Sequence, residues 1–254
     1  MQIILSPSKT ISHRVNLFEE ISTQPIFKME AEEICSQLKR FSLDELQKLL
    51  KTSPNLTQTA YDFYQHWNST HTIKNSTQAI QAFSGDVFTG MESLHFPKET
   101  LLYSQQHLTI LSALYGALRP LDIIQPYRLD VANPLLINNT NLYQYWKSQV
   151  TQTINQQLEL QKNKITINLA SAEYFKMIDH KKIIGEIITP TFKDNINGSY
   201  KIVSLYAKKA RGKMTKFILV NKISNSEELK TYTEDGYYFA AAHSDKYNYI
   251  FLRG

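Results

Sequence analysis

Residues 165–178 read ITINLASAEYFKMI. Ile165 to Leu169 is a short apolar run of the kind that forms a buried strand, Ala170-Ser171 is a small polar turn, and Ala172 to Ile178 follows as a helix. Strand, tight turn and helix in that order form the repeating unit of an α/β sheet. Similar signals recur on either side. Gln2 to Leu5 is an apolar run ended by Ser6-Pro7, and His107 to Leu111 is strand-like after a helix that Pro97 opens and that runs to about Gln106. Ser42-Leu43-Asp44-Glu45 has the form of a capping box ahead of Leu46, Leu49 and Leu50. Asn141 to Gln161 predicts a long helix with Tyr145, Trp146, Val150, Ile154 and Leu158 on its apolar side. Ile187 to Phe192 and Tyr200 to Leu205 flank Asn197-Gly198, a pair suited to a hairpin turn with positive φ at both central positions. Tyr247 to Leu252 would close the sheet. The expected class is therefore α/β, a mixed sheet flanked by helices in a single domain over residues 1–254.

The composition agrees with a packed core: 42% of the residues are hydrophobic and 11% aromatic. No run of 18 apolar residues occurs, and Met1 leads into Ile3-Ile4-Leu5 without a basic region or cleavage site. No membrane span and no secretion signal are expected, with the cytoplasm as the default location. Cys35 is the single cysteine, which excludes an internal disulfide, and its place beside Ile34 and Leu38 in a helix over Glu30 to Phe41 predicts a buried thiol. The seven histidines show no HExxH pattern, so no metal site is expected.

Charge is distributed unevenly. Tyr200 to Lys222 carries seven Lys/Arg residues and no acid, while the whole chain has 28 basic and 23 acidic side chains for a net charge of +5. Without that segment the balance would be slightly negative, and so local a cationic field suits an anionic partner such as phosphate. On a helical wheel Tyr206, Ala210, Met214, Phe217, Ile218 and Asn221 share one side, and Lys208, Lys209, Arg211, Lys213 and Lys216 occupy the rest. The absence of Glu from such a face is unusual for a solvated helix.

Three expected strands end in small polar turns that hold Ser6, Ser8 and Lys9, then Ser112, then Ser171. Carboxyl ends of strands in α/β sheets are where ligands collect, so these turns are expected to line one cleft, although each serine also reads as a helix cap. Ser84 to Gly90 reads as a second polar loop with Asp86 as a ligand or general base; the alternative is a tight turn in which Asp86 bonds its own backbone. It matches neither a P-loop nor a dinucleotide fingerprint. In LSALYGALRPLDIIQPYRLD, residues 111–130, Pro120 and Pro126 forbid a continuous helix. Arg119 and Arg128 there suit bidentate phosphate contact, with pairing to Asp122 or Asp130 as the alternative, and Tyr127 joins the cleft lining.

These motifs together resemble the YaaA family of bacterial peroxide-stress-resistance proteins: residues 4–10 as ILSPSKT, 83–90 as FSGDVFTG, 105–128 as QQHLTILSALYGALRPLDIIQPYR, 167–176 as INLASAEYFK and 203–212 as VSLYAKKARG. The resemblance covers nearly the whole chain. It implies a cytosolic protein with an unusual mixed α/β topology, DNA binding through a positive cleft with a helix-hairpin-helix-like element, and a role in limiting free iron and oxidative DNA damage. Leu111 to Ile124 is the best place for that element, although Gly116-Ala117-Leu118 has only the first of the two glycines such a hairpin carries.

Two functions fit. The first is sequence-nonspecific binding of duplex or branched DNA, with Lys208, Lys209, Arg211 and Lys213 on phosphates and Lys9, Arg119 and Arg128 deeper in the cleft. The second is an enzyme acting on a nucleotide, nucleoside or modified base, with Asp86 or Glu173 as acid/base. Neither requires a cofactor, and a monomer is expected.

Overall fold

Three parallel strands make the centre of the molecule, which is a computed structural model describing residues 1–12 and 17–254. β1 (Gln2–Leu5) lies in the middle, with β3 (Leu108–Ser112) on one side and β8 (Ile165–Leu169) on the other. Strands covered on both faces need continuous apolar runs, and Ile3, Ile4 and Leu5 are each fully buried. The exception, Gln2, donates from Nε2 to Thr109 Oγ1 at 2.8 Å across the β1–β3 pair. Outside β3, β4 (Gly116–Leu118) folds back antiparallel. Outside β8, β9 (Glu186–Ile196) runs parallel to it over 186–188 and then parallel to β12 (Asn248–Arg253) over 189–194. β11 (Tyr238–Phe239) borders β12, and β10 (Ser199–Lys201) closes a hairpin on the far end of β9. Asn197 and Gly198 in that turn have φ of 52° and 81°, as the dipeptide predicts. The sheet order is thus β11-β12-β9-β8-β1-β3-β4.

Most of the expected helices are present. α1 (Lys28–Leu38) is followed by α2 (Leu43–Leu50), whose capping box forms as read: Ser42 Oγ accepts from the Glu45 amide, and the Glu45 carboxylate accepts from the Ser42 amide at 2.8 Å. α6 (Lys98–His107) follows Pro97, and α7 (Leu142–Glu159) is capped by Asn141, whose side chain accepts from the Gln144 amide at 3.0 Å. α8 (Ala172–Phe175) is a single turn after β8. Cys35 on α1 is fully buried, and desolvation pushes its thiol up to about 12. α3 (Pro54–Gln65) went unread in the sequence, as did β2 (Thr77–Gln78) and α4 (Ala79–Ala82). The stretch read as a polar loop, Ser84 to Gly90, mostly forms α5 (Asp86–Met91). A small hairpin of β6 (Leu136–Ile137) with β7 (Thr140–Asn141), and an antiparallel pair of β2 with β5 (Ile123–Ile124), complete the strands.

The helix-hairpin-helix placement is corrected by the structure. Leu111 to Ile124 contains no helix; it is the end of β3, a turn, β4 and β5. Gly116 sits at φ +66°, and a Cβ there would come within 2.5 Å of the Trp146 ring, so that turn is shaped by packing against α7. Trp146 Nε1 also donates to the Ala113 carbonyl at 2.8 Å. For Arg119 the structure shows the alternative, pairing with Asp122. Its guanidinium and backbone amide converge on fully buried Asp122 (Nη2–Oδ1 2.8 Å), and Nη2 also donates to the Gln24 carbonyl at 3.0 Å. Since Leu118 pairs with Ile110, Arg119 follows at the amino end of β3, away from the polar strand ends. It is structural, because removing one partner would leave a buried charge alone.

The last helix, α9 (Ser204–Val220), takes over three residues after β10 ends, so the expected strand to Leu205 stops at Lys201. It lies directly on α5. A Cβ on Gly212 would sit 1.8 Å from the Val87 carbonyl oxygen, and one on Gly90 would sit 2.3 Å from the Lys209 carbonyl oxygen. The two helices therefore meet backbone to backbone.

Gly212→Ala should consequently destabilise the protein by about 1–3 kcal/mol or more through forced separation of α5 and α9, read as a lower denaturation midpoint at unchanged slope. A second expectation concerns His71, which is buried against Tyr115 (Nε2 to OH 2.9 Å) and Gln125, and which desolvation lowers from 6.5 to about 4. Between pH 6.5 and pH 4 the unfolded chain protonates this imidazole while the folded one does not, so stability falls as pH falls, by on the order of 3 kcal/mol from this group. Urea titrations across that window should show the loss, and His71→Gln should flatten it.

Candidate functional site

The carboxyl ends of the central strands are cross-linked by their own serines. Ser6 Oγ donates to Ser171 Oγ at 3.2 Å and accepts from the Ser171 amide at 2.8 Å, while Ser171 Oγ caps α8 by accepting from the Tyr174 amide. Ser112 is fully buried, bonds Tyr127 OH at 2.8 Å and accepts from the amides of Leu114 and Tyr115. Ser8 donates to the Ser84 carbonyl at 2.8 Å and abuts Gly85, where a Cβ would come within 2.5 Å of its hydroxyl. These four serines thus fasten the turns to one another. Of them, only Ser8 lines the open space above.

That space is a cleft of about 280 Å³. Its walls are the β1 turn at Ser8-Lys9, the end of α2 at Lys51-Thr52, the segment 127–133, and Glu173 on α8. Segment 127–133 is held from several directions. Tyr127 OH bonds Ser112, Tyr64 OH donates to the Arg128 carbonyl, Asn133 Oδ1 accepts from the Asp130 amide at 2.7 Å, and Asn133 Nδ2 donates to the Leu49 carbonyl at 3.1 Å. Burial pushes the hydroxyls of Tyr64, Tyr127 and Tyr174 well above their ordinary value, so they stay protonated as donors and supply no base.

Charges on these walls are only partly matched. Lys9 Nζ is 2.9 Å from Asp130 Oδ2, which takes the acid that Arg128 would otherwise have faced. Among the described residues Arg128 Nη1 reaches the Lys9 carbonyl, at 3.5 Å, and no carboxylate. Glu173 is exposed and has no partner among the described residues. Asp86 begins α5, half-buried and without a partner among the described residues, but it is not in the lining of this cleft. Of the two candidate acid/base residues, Glu173 lines this cleft and Asp86 does not. Lys51, Thr52, Tyr64 and Asn133 are the participants that sequence reading missed; nothing in their local pattern distinguishes them, because they come from the end of α2, from α3 and from the turn before Pro134.

The cationic helix next to α5 is turned differently from its wheel. Ala207, Ala210, Gly212, Met214, Thr215, Ile218 and Leu219 are buried, whereas Tyr206 is 43% exposed. This rotation brings Arg211 toward the protein, where desolvation lowers its pKa and no acid or carbonyl among the described residues answers it. The remaining charges divide along the helix axis. Lys213 pairs with Asp235 and Lys216 with Glu92, and Lys222 just beyond the helix pairs with Glu99. The Lys216 hydrogen bond holds the Glu92 carboxyl below its ordinary range. Lys208 and Lys209 are exposed and unpaired among the described residues. The amino end of the helix is pinned by Arg253, whose guanidinium lies 4.6 Å from the ring centres of both Tyr206 and Tyr237 and bonds buried Asp194 through Nε at 2.6 Å.

Comparison with known proteins places this architecture. The family described as peroxide stress protein YaaA matches residues 1–243. A UPF0246 protein of Aliivibrio fischeri is 42% identical over 254 residues, covering 100% of this chain and 98% of its own. A UPF0246 protein of Saccharophagus degradans is 40% identical over 254 residues, covering 100% of this chain and 99% of its own. With the match running through the β1 turn, the α5 segment and the cationic helix alike, this chain belongs to the peroxide stress protein YaaA family.

Proposed function

We propose that the protein binds DNA, without sequence preference, through the amino-terminal half of α9, and that by doing so in the cytoplasm it limits iron-dependent peroxide damage to DNA. The observation that carries this reading is the division of charge on one helix. Lys213, Lys216 and Lys222 are neutralised by acids, whereas Lys208, Lys209 and Arg211 meet no acid among the described residues. A helix that needed lysines only for solubility would have no reason to keep an unanswered, desolvated guanidinium beside them. Arg211 gains from an anion that displaces what little water it has, while Lys208 and Lys209 supply counterion-releasing contacts to the backbone of a duplex or branched DNA. Membership in a peroxide stress family agrees with such a role.

The test is binding of a fluorescent duplex and a four-way junction across a salt series. Lys208→Gln/Lys209→Gln should weaken binding and reduce the magnitude of the log affinity versus log salt slope by about two, since each phosphate contact contributes about one. Lys216→Gln, which removes a lysine already paired to Glu92, should leave the slope nearly unchanged. Equal slopes for the double variant and the parent would rule the reading out.

A further inference from the structure

We infer that the cleft between the β1 turn and segment 127–133 binds a nucleoside monophosphate, with phosphate at Arg128 and Lys9 and the hydrogen-bonding edge of the base at Glu173. The first ground is the rigidity of the wall. Segment 127–133 is fixed by bonds to its own backbone and to the Tyr127 hydroxyl, so the side chains of Arg128 and Asp130 are presented from a backbone that has little freedom left. Such fixing reduces the ordering cost of binding. Three of these bonds tie the segment to other elements, and the fourth, from the Asp130 amide to Asn133, closes a turn within it.

The second ground is the charge pattern. Lys9 and Asp130 close on each other, but Arg128 and Glu173 line the same space, carry opposite charge and do not meet. Opposite charges that face one cavity and stay apart leave room for a molecule carrying the complementary groups. A guanidinium with one unanswered edge suits two phosphate oxygens, and Lys9, 74% exposed at its side chain, can add a donor from the rim. Glu173 offers only acceptors when ionised and matches paired N–H donors on a base, as the guanine edge presents. Leu50 and Leu129 supply apolar wall between the two ends.

The third ground is size. A space of about 280 Å³ lies near the lower end of the roughly 300–1,000 Å³ range of small-molecule sites and is far too small for a duplex. The inference does not rest on DNA binding by α9, because no α9 residue lines the cleft.

Calorimetric titration of the full-length protein with GMP, guanosine and inorganic phosphate tests it. GMP should bind more tightly than either fragment. Arg128→Gln should weaken GMP at least tenfold and phosphate in parallel, and Glu173→Gln, at an exposed position, should weaken GMP and guanosine while leaving phosphate unchanged. Arg128→Lys, which keeps the charge but not the fork, should retain only part of the affinity and guards against a folding defect in the glutamine variant. Lys208→Gln/Lys209→Gln should bind GMP as the parent does even if its DNA binding is lost, which separates this site from the helix. Absence of heat with GMP, equal affinity for GMP and phosphate, or indifference to Glu173→Gln would each overturn the assignment.

Discussion

The contact on which the functional end of this protein depends is the one between two backbones, at Gly90 and Gly212. With a side chain at either position, α5 and α9 could not approach as they do, because the nearest atoms are carbonyl oxygens that belong to the helices themselves and cannot swing aside. The approach sets the rotation of α9 about its axis. Once Gly212 faces Val87, Ala207, Ala210 and Met214 must face the core, Tyr206 must turn out, and Arg211 must come in. The same α5 begins at Ser84-Gly85, which Ser8 holds by hydrogen bond and close packing. A chain of hard contacts therefore links the β1 turn, α5 and the cationic helix, and leaves little freedom for one to move without the others.

That geometry explains how a chain of modest net charge carries two distinct electrostatic environments. On α9 the acids are supplied by other elements, Glu92 after α5, Glu99 on α6 and Asp235 near β11, and they reach only the carboxyl-terminal half of the segment. Around the strand ends the acids lie on the same walls as the cations, yet only Lys9 and Asp130 are close enough to pair. In each place the unmatched groups are adjacent to matched ones, so the lack of pairing reflects position and not a shortage of carboxylates.

Much of the framework was legible in the sequence because it rests on local physics. Ile165 to Leu169 is a strand at the residues read, the Ser42–Glu45 box forms, and Asn197-Gly198 turns with both φ values positive. What was not legible depends on contacts remote in sequence. The segment DVFTGM, six residues with a glycine among them, is too short to announce a helix, and it is one because α9 lies against it. Periodicity alone placed Arg211 outward with the lysines; a glycine one residue later, needed for a backbone contact, overrode it. For Arg119 the sequence left phosphate contact and pairing with Asp122 both open, and β4, which carries it toward the amino end of β3, settles on Asp122. At the strand ends the serines do sit in polar turns, but their hydroxyls are taken by the protein itself, Ser6 and Ser171 by each other, Ser112 by Tyr127 and Ser8 by the Ser84 carbonyl, and the cleft above draws its walls from α2 and segment 127–133 as well.

The burial of Cys35 bears on how a member of a peroxide stress family can relate to peroxide itself. Oxidation of cysteine by peroxide begins at the thiolate, and a thiol pushed up to about 12 is ionised at neutral pH in about one molecule in 100,000. Cys35 is also the single cysteine among the 254 residues, so no second thiol is present to trap a sulfenic acid as an internal disulfide. The folded protein is therefore chemically deaf to the oxidant through its sulfhydryl chemistry. Any adjustment to oxidative conditions by a thiol route has to be imposed from outside the molecule, on its abundance or on the ligands it meets.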